Sequence, residues 1–196
     1  MSASQNSFLS NTSTSISISE NISYNYINTN LVNKICILLE MLINSSKLKL
    51  SSKKVNLPNS SFELKRIPFI SLYDYLCRII KYIKIDDDTL IYALIYIDRI
   101  HKNKFIVSSY NIHKLLFIAI VLAAKYKDDN CLSKKIYSKI GGITIKEFEK
   151  MEIEFCLYIN YRLYIKQSLF EKYYIYITND YVFNNITNDF DKIIFL

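Results

Sequence analysis

The side chains that most often perform catalysis or bind metals are few in this chain and lie far apart. The sequence has only 2 histidines, His101 and His113, and they fall on different predicted helices. A metal site or an acid–base pair requires spacing that brings such groups together. With only 2 glycines, the chain also lacks a glycine-rich phosphate loop, and it has no G-x-S-x-G motif. We therefore predict no catalytic residue, no metal site and no cofactor.

Two short acidic runs, at residues 86–88 and 128–129, are the remaining candidates for metal chemistry. Carboxylates can bind a divalent cation. The first run, however, directly precedes a predicted helix, where acidic side chains cap free backbone N–H groups. We interpret the runs as a helix cap and a solvated loop. The 4 cysteines show no C-x-x-C spacing, which favours a reduced chain inside the cell.

The chain is basic, with a formal net charge of +7. Such a surface could bind nucleic acid or an acidic partner, or it could simply be solvated. Lysine and arginine are spread without a dense run, which favours the solvated surface. The N-terminus lacks a basic region followed by an apolar run, so we expect no signal peptide. No apolar stretch reaches the about 20 residues that cross a bilayer, so we expect no membrane association.

One segment determines how the rest of the chain must be arranged. Between Leu115 and Ala124 no side chain is polar. As a helix, this segment is apolar on every side and must be surrounded by other elements. A buried strand is the alternative, but strands usually have about 4–8 residues, and the alanines in this run favour a helix. We predict a central helix with Ser108 or Ser109 as its N-cap and Lys125 and Lys127 in its last turn.

Helical periodicity continues on both sides of the central segment. Short loops join the predicted helices, which is typical of a compact all-α domain. Besides the central one, the helices cover residues 31–42, 71–83, 89–101, 131–139, 144–157 and 167–177. Capping motifs begin three of them, at Ser71, within residues 86–88 and at Thr144, and Gly141 and Gly142 end the helix over 131–139. We divide the chain into a disordered low-complexity tail (1–30), an N-terminal helix and linker (31–61), a compact block with a C-terminal flanking helix (62–178) and a tail (179–196).

Several short motifs occur in the order in which one protein family carries them. They are PFISLYDYLCRI at 68–79, YIDRI at 96–100, LAAKYKDD at 122–129, KIGGI at 139–143 and KME at 150–152. Over about residues 62–175 the chain resembles a cyclin of the P-type or U-type class, which is related to fungal phosphate-signalling cyclins. The resemblance implies an all-α fold with a single five-helix cyclin box and flanking N- and C-terminal helices.

The resemblance also implies that the chain binds and activates a cyclin-dependent protein kinase and has no catalytic group of its own. A cyclin docks against the kinase helix whose glutamate pairs with the ATP-binding lysine. The matching kinase-binding positions are Lys125 and Glu152, which would hydrogen-bond the kinase, and Tyr126, Ile153, Cys156 and Tyr161, which would supply apolar contacts. Arg78 and Asp98 match a structural ion pair between the first and second helices of the box.

Other readings stay open at the level of sequence. Lys125 could do no more than interact with the dipole at the C-terminus of its helix, and Glu152 could lie on a solvated helix face. A cyclin-fold scaffold could bind a kinase without activating it. A transcription-factor-like cyclin fold could associate with nucleic acid, but such proteins use two boxes and basic faces. We therefore expect no direct binding to nucleic acid, and we expect the protein inside the cell, in the nucleus, the cytoplasm or both.

Overall fold

The computed structural model describes residues 28–51, 60–129 and 131–186. These residues form eight α-helices and contain no β-strand, which confirms the predicted all-α fold. The helices are α1 (Thr29–Ser51), α2 (Leu72–Ile83), α3 (Asp87–Lys102), α4 (Ile112–Lys127), α5 (Lys134–Gly141), α6 (Ile145–Tyr158), α7 (Gln167–Thr178) and α8 (Asp180–Ile186). Within these ranges, no helix combines the length and apolar character that a membrane crossing requires.

Helix α4 lies at the centre of the domain, as its sequence predicts. Every side chain from Leu115 to Ala124 is at most 5% exposed. The helix contacts α2, α3, α5 and α6, so the other four predicted helices of the block surround it as expected. Each large aliphatic side chain buried in this core contributes about 1.5–3 kcal/mol. The arrangement holds the C-terminal end of α4 against α6.

The predicted capping residues are present at the starts of three helices. The Ser71 side chain accepts a hydrogen bond from the backbone N–H of Asp74 (3.0 Å) at the start of α2. Asp86 accepts one from the backbone N–H of Thr89 (2.8 Å) at the start of α3. Thr144 forms a full capping box at the start of α6. Short polar side chains thus fix where these helices begin.

The predicted N-cap of α4 is wrong, because the cap is Asn111 rather than Ser108 or Ser109. Asn111 is fully buried, and its Oδ1 accepts a hydrogen bond from the backbone N–H of Ser108 (2.8 Å). Its Nδ2 donates to Glu63 (2.7 Å) and to the carbonyl oxygen of Ile106 (2.9 Å). Asn111 therefore fixes the loop that precedes α4, and one of its partners, Glu63, lies 48 residues earlier in the chain.

The N-terminal helix is longer than predicted. It continues to Ser51, whereas the sequence predicts an end near residue 42 followed by a linker. Leu42 and Ser46 are buried, so packing continues beyond the predicted end. The hydroxyl of Ser45 donates to the carbonyl oxygen of Leu42 (2.9 Å). This hydrogen bond satisfies the serine hydroxyl within the helix.

The predicted C-terminal tail contains an additional helix, α8. Asp180 at its start lies 2.5 Å from the ammonium of Lys34 in α1. The same ammonium lies 5.2 Å from the ring centroid of Phe183, a buried residue of α8. The sequence pattern does not predict this helix, because its anchors lie at the other end of the chain. Residues 1–27, 52–59 and 187–196, which belong to the predicted tails and linker, lie outside the described residues.

Two glycines end α5 and direct the chain into α6, as predicted. Gly142 has a φ of +69°, in the left-handed region where a Cβ is strained. Gly141 has a different role, since a Cβ there would lie 2.5 Å from Cε1 of Phe117 in α4. The close approach of α5 to α4 therefore requires a glycine.

Candidate functional site

Lys125 in the last turn of α4 and Glu152 in α6 contact each other. The Nζ of Lys125 lies 2.5 Å from Oε1 of Glu152. The two side chains are 26% and 20% exposed, so the pair is partly shielded from water but can be reached from the surface. The fold thus brings together the two residues that the family resemblance associates with hydrogen bonding to a kinase.

Aromatic rings fix the position of the Lys125 ammonium from the protein side. Its Nζ lies 5.3 Å from the ring centroid of Phe148 and 5.6 Å from that of Tyr137. Both rings are buried, and they stack on each other with centroids 5.9 Å apart. A cation within about 6 Å of a ring centroid is attracted by the ring's quadrupole. Rings on α5 and α6 therefore fix the position of the Lys125 side chain. A favourable interaction with the dipole of α4 would not by itself need these ring contacts.

Apolar side chains around this ion pair remain exposed. Ile153 is 60% exposed, Tyr161 63% and Tyr126 43%. Tyr126 and Ile153 adjoin the pair in sequence, and Cys156 lies one turn beyond Glu152 on α6. Burial raises the pKa of the Cys156 thiol, which keeps this side chain neutral. A group of exposed apolar side chains of this kind is typical of an interaction surface.

Helix α6 adds an exposed leucine that the sequence analysis omitted. Leu157 is 55% exposed and follows Ile153 by four residues, so both lie on one face of the helix. The i, i+4 spacing was a signal that could have identified it. We name this surface the α4–α6 face and define it by Lys125, Tyr126, Glu152, Ile153, Cys156, Leu157 and Tyr161.

The chain after α6 holds Tyr161 in an uncommon backbone conformation. Asn160 and Tyr161 have φ values of +53° and +54°, in the left-handed region. This conformation costs a residue with a Cβ about 1–2 kcal/mol. It is held by a hydrogen bond from the N–H of Tyr161 to the carbonyl oxygen of Cys156 (2.7 Å) and by Arg99, which donates to the carbonyl oxygen of Tyr164 (3.0 Å). Strain that the surrounding structure maintains is often found at functional positions.

The predicted ion pair between Arg78 and Asp98 is wrong. Arg78 lies on the exposed side of α2, whereas Asp98 in α3 is only 8% exposed and faces α7. The Tyr173 hydroxyl donates to Oδ2 of Asp98 (2.7 Å), and the ammonium of Lys102 lies 3.0 Å from the same oxygen. Burial raises the pKa of Asp98, although both neighbours act in the opposite direction. Asp98 therefore joins α3 to α7 instead of joining α3 to α2.

The other groups considered for chemistry have structural partners. The Nε2 of His113 lies 3.2 Å from the carbonyl oxygen of Ile70, and burial lowers the pKa of this histidine. Burial tends to raise the pKa of Asp86, but hydrogen bonds from Thr89 and Lys127 outweigh that effect and lower it. In the described part of the chain, no group of three or more His, Cys, Asp or Glu residues could hold a metal ion.

Comparison with known proteins points to one family. A sequence model of the family described as Cyclin matches residues 2–163, which include the whole α4–α6 face. Cyclin-U4-2 of Arabidopsis thaliana is 35% identical over 116 residues, which are 58% of this chain and 54% of the relative. The PHO85 cyclin-like protein psl1 of Schizosaccharomyces pombe is 33% identical over 132 residues, 66% of this chain and 54% of the relative.

A third relative, PHO85 cyclin-7 of Saccharomyces cerevisiae, is 31% identical over 129 residues, which are 59% of this chain and 45% of the relative. The chain spans about half the length of the curated relatives it matches.

Proposed function

Because the chain belongs to the cyclin family, we propose that it is a regulatory subunit that binds and activates a cyclin-dependent protein kinase inside the cell. The observation that supports this most directly is the α4–α6 face, which combines exposed apolar side chains with a partly shielded ion pair. One relative is named a PHO85 cyclin-like protein and another a PHO85 cyclin. We propose that the partner is a cyclin-dependent kinase of the type that such cyclins bind. In this proposal the chain contributes no catalytic group to phosphoryl transfer.

The chemistry of the α4–α6 face fits a protein–protein interface. Aromatic and aliphatic side chains such as Tyr126, Ile153 and Tyr161 supply area that binding would remove from water. The Lys125 ammonium has three donors and the Glu152 carboxylate has two oxygens. Their mutual contact occupies one oxygen, Oε1 of Glu152. Each residue can therefore form a further hydrogen bond across an interface without breaking the pair.

The α4–α6 face would activate a kinase by contacting one helix of the kinase and holding it in the active position. A protein kinase is active only when the helix that carries the glutamate partner of the ATP-binding lysine is correctly placed. A surface that binds this helix only in the active position shifts the population of conformations towards it. A shift from 1% to 99% active requires about 5.5 kcal/mol of differential binding. Truncation of one well-packed interface anchor, most often an aromatic residue or arginine, costs about 2 kcal/mol or more, so a few such anchors are enough to make a difference of this size.

Affinity purification followed by mass spectrometry tests this proposal. We expect the wild-type chain to enrich a cyclin-dependent kinase and the Lys125→Ala, Glu152→Ala double variant to lose it. Removing both partners avoids leaving one partly buried charge unpaired, which would itself destabilise the fold. The matched control is Lys134→Ala, Glu149→Ala, which removes an ion pair of the same residue types (2.8 Å) outside the α4–α6 face.

The control variant should retain the kinase. Recovery of no protein kinase with the wild-type chain would contradict the proposal, as would full retention by the Lys125→Ala, Glu152→Ala variant. A phosphorylation assay on the purified complex then separates an activator from a scaffold. An activator raises the rate of phosphate transfer by the kinase, whereas a scaffold leaves that rate unchanged.

A further inference from the structure

A small surface pocket lies where the C-terminal end of α3 meets the C-terminal end of α6. Its volume is about 420 Å³, within the range of about 300–1,000 Å³ that is common for binding sites. Its lining residues are Lys102, Asn103, Lys104, Leu157, Tyr158 and Asn160. We name it the α3–α6 pocket. Leu157 belongs both to this pocket and to the α4–α6 face, so the two surfaces are continuous.

Two contacts join the walls of the pocket. Asn103 directly follows α3, and its Nδ2 donates a hydrogen bond to the carbonyl oxygen of Tyr158 at the end of α6. The ring of Tyr158 also packs edge-on against that of Phe105, with centroids 4.8 Å apart. Phe105 is buried, so this ring pair belongs to the core of the domain. The ends of α3 and α6 are therefore tied to each other at the pocket.

The pocket presents positive charge and hydrogen-bond donors. Lys102 and Lys104 line it, and no acidic residue does. The ammonium of Lys102 lies 3.0 Å from Oδ2 of Asp98, which neutralises part of its charge. Lys104 is exposed, and among the described residues no carboxylate oxygen lies within 4 Å of its ammonium. The amide of Asn160 adds two N–H donors to the same pocket.

The backbone is strained on two sides of the pocket. Four of the described residues other than glycine have a φ in the left-handed region, and two of them, Lys104 (+67°) and Asn160 (+53°), line the pocket. A third, Tyr161 (+54°), follows directly and belongs to the α4–α6 face. Strain of this kind persists only where the surrounding structure maintains it, and it is common at ligand clamps. Two strained turns that meet at one pocket therefore indicate a functional position.

The chemistry of the pocket favours an anionic side chain as its occupant. A metal ion would meet two ammonium groups and no carboxylate. A single-stranded nucleic acid would use a series of aromatic stacking surfaces, and Tyr158 is the one aromatic residue that lines the pocket. A carboxylate or a phosphate group, in contrast, can pair with Lys104 and accept hydrogen bonds from the amide of Asn160.

We propose that the α3–α6 pocket receives an anionic side chain of the kinase, either a carboxylate or a phosphorylated hydroxyl group. This inference rests on the proposed function, because Leu157 connects the pocket to the α4–α6 face, and a protein that covers this face also lies over the rim of the pocket. Lys104 is the residue that recognises the charge. Complementary charge at the rim of an interface chiefly determines which partner binds and how fast.

Surface plasmon resonance with the full chain and the kinase recovered in the affinity purification tests this inference. Lys104→Glu should weaken binding about tenfold, mainly through slower association, because an attraction becomes a repulsion. The matched control is Lys84→Glu, which changes another exposed lysine with a left-handed φ (+58°), at the end of α2. This control should bind within about twofold of wild type.

A second pair of variants separates the effect of charge from an effect on folding. Lys104→Gly removes the charge and also relieves the left-handed strain, so it should fold as wild type does. We expect it to weaken kinase binding about threefold, whereas Lys84→Gly should bind as wild type does. Raising the salt concentration from about 50 to about 300 mM should weaken binding by wild type more than binding by Lys104→Gly, because exposed charges are screened.

Treatment of the kinase with a phosphatase identifies the source of the negative charge. Wild-type binding that falls to the level of Lys104→Gly assigns a phosphorylated side chain, and a difference that persists assigns a carboxylate. Equal binding by Lys104→Glu and Lys84→Glu would overturn the inference and leave the proposed function intact. No binding of a kinase by the wild-type chain would overturn the proposed function, and this inference with it.

Discussion

The contact between Gly141 and Phe117 gives a sharp test of how α5 is held against the central helix. A Cβ on Gly141 would lie 2.5, 2.7 and 2.9 Å from three carbons of the Phe117 ring. Ordinary contacts begin near 3.4 Å, so the ring would have to retreat by about 1 Å. Phe117 is 1% exposed and packs against Phe148, with ring centroids 6.2 Å apart, so it has little room to move.

We expect Gly141→Ala to lower the free energy of unfolding by about 1–3 kcal/mol, which is typical of overpacking in a core. Alanine stabilises a helix by up to about 1 kcal/mol relative to glycine, and this expected loss already allows for that gain. A net loss of 2 kcal/mol lowers Tm by about 4–8 °C for a chain of this size. Urea and thermal unfolding, followed by circular dichroism, measure both quantities.

Two further variants show whether the Phe117 ring is the cause. Gly142→Ala strains the backbone at φ +69° without meeting any atom within 4 Å, so it should cost about 1–2 kcal/mol irrespective of Phe117. Phe117→Leu shortens the side chain that the new methyl group meets. The loss in the Gly141→Ala, Phe117→Leu double variant should therefore be smaller than the sum of the single losses by about 1 kcal/mol. Strict additivity, or a Gly141→Ala protein as stable as wild type, would refute the reasoning.

The remaining predictions concern Asp98 and Tyr161. Asp98→Ala should cost about 1–3 kcal/mol in urea unfolding, because the buried Tyr173 hydroxyl loses its acceptor, whereas Asp98→Asn should cost less. Burial raises the pKa of Asp98, so the folded protein binds a proton more readily than the unfolded one. Wild-type stability relative to Asp98→Asn should therefore rise as the pH falls through that raised pKa, and a constant difference would contradict this. Tyr161→Gly should be more stable than Tyr161→Ala by about 1 kcal/mol, because only glycine avoids strain at φ +54°; equal melting temperatures would argue against that strain.

The sequence was sufficient to predict features that depend on local pattern. The continuous apolar run from Leu115 to Ala124 leaves a helix no solvated side, so its central position follows from composition alone. The capping box at Thr144 and the stop at Gly142 also depend on residues within one or two turns. The motifs around Lys125 and Glu152 matched a family in which both residues hydrogen-bond a kinase. That the two lie 2.5 Å apart is a finding of the structure.

Features that depend on contacts between distant parts of the chain could not be predicted in this way. The partner of Asp98 is Tyr173 in α7, 75 residues further along the chain, and no periodicity in α3 identifies it. Likewise, α8 is anchored by Lys34 of α1, so its own weak pattern gave no signal. Leu157 was missed for a different reason. Its i, i+4 spacing from Ile153 places both side chains on one face of α6, but spacing alone does not show that this face is exposed.

The most direct measurement of the central claim is phosphate transfer by the kinase recovered in the affinity purification, with the chain added in stoichiometric amount. The informative variant is Ile153→Asp, which places a charge on the α4–α6 face at a side chain that is 60% exposed. Its control is Ile175→Asp on α7, where the side chain is 52% exposed. We predict that wild type and Ile175→Asp increase the rate of phosphate transfer, whereas Ile153→Asp does not. Full activation by Ile153→Asp, or no activation by wild type, would contradict the account.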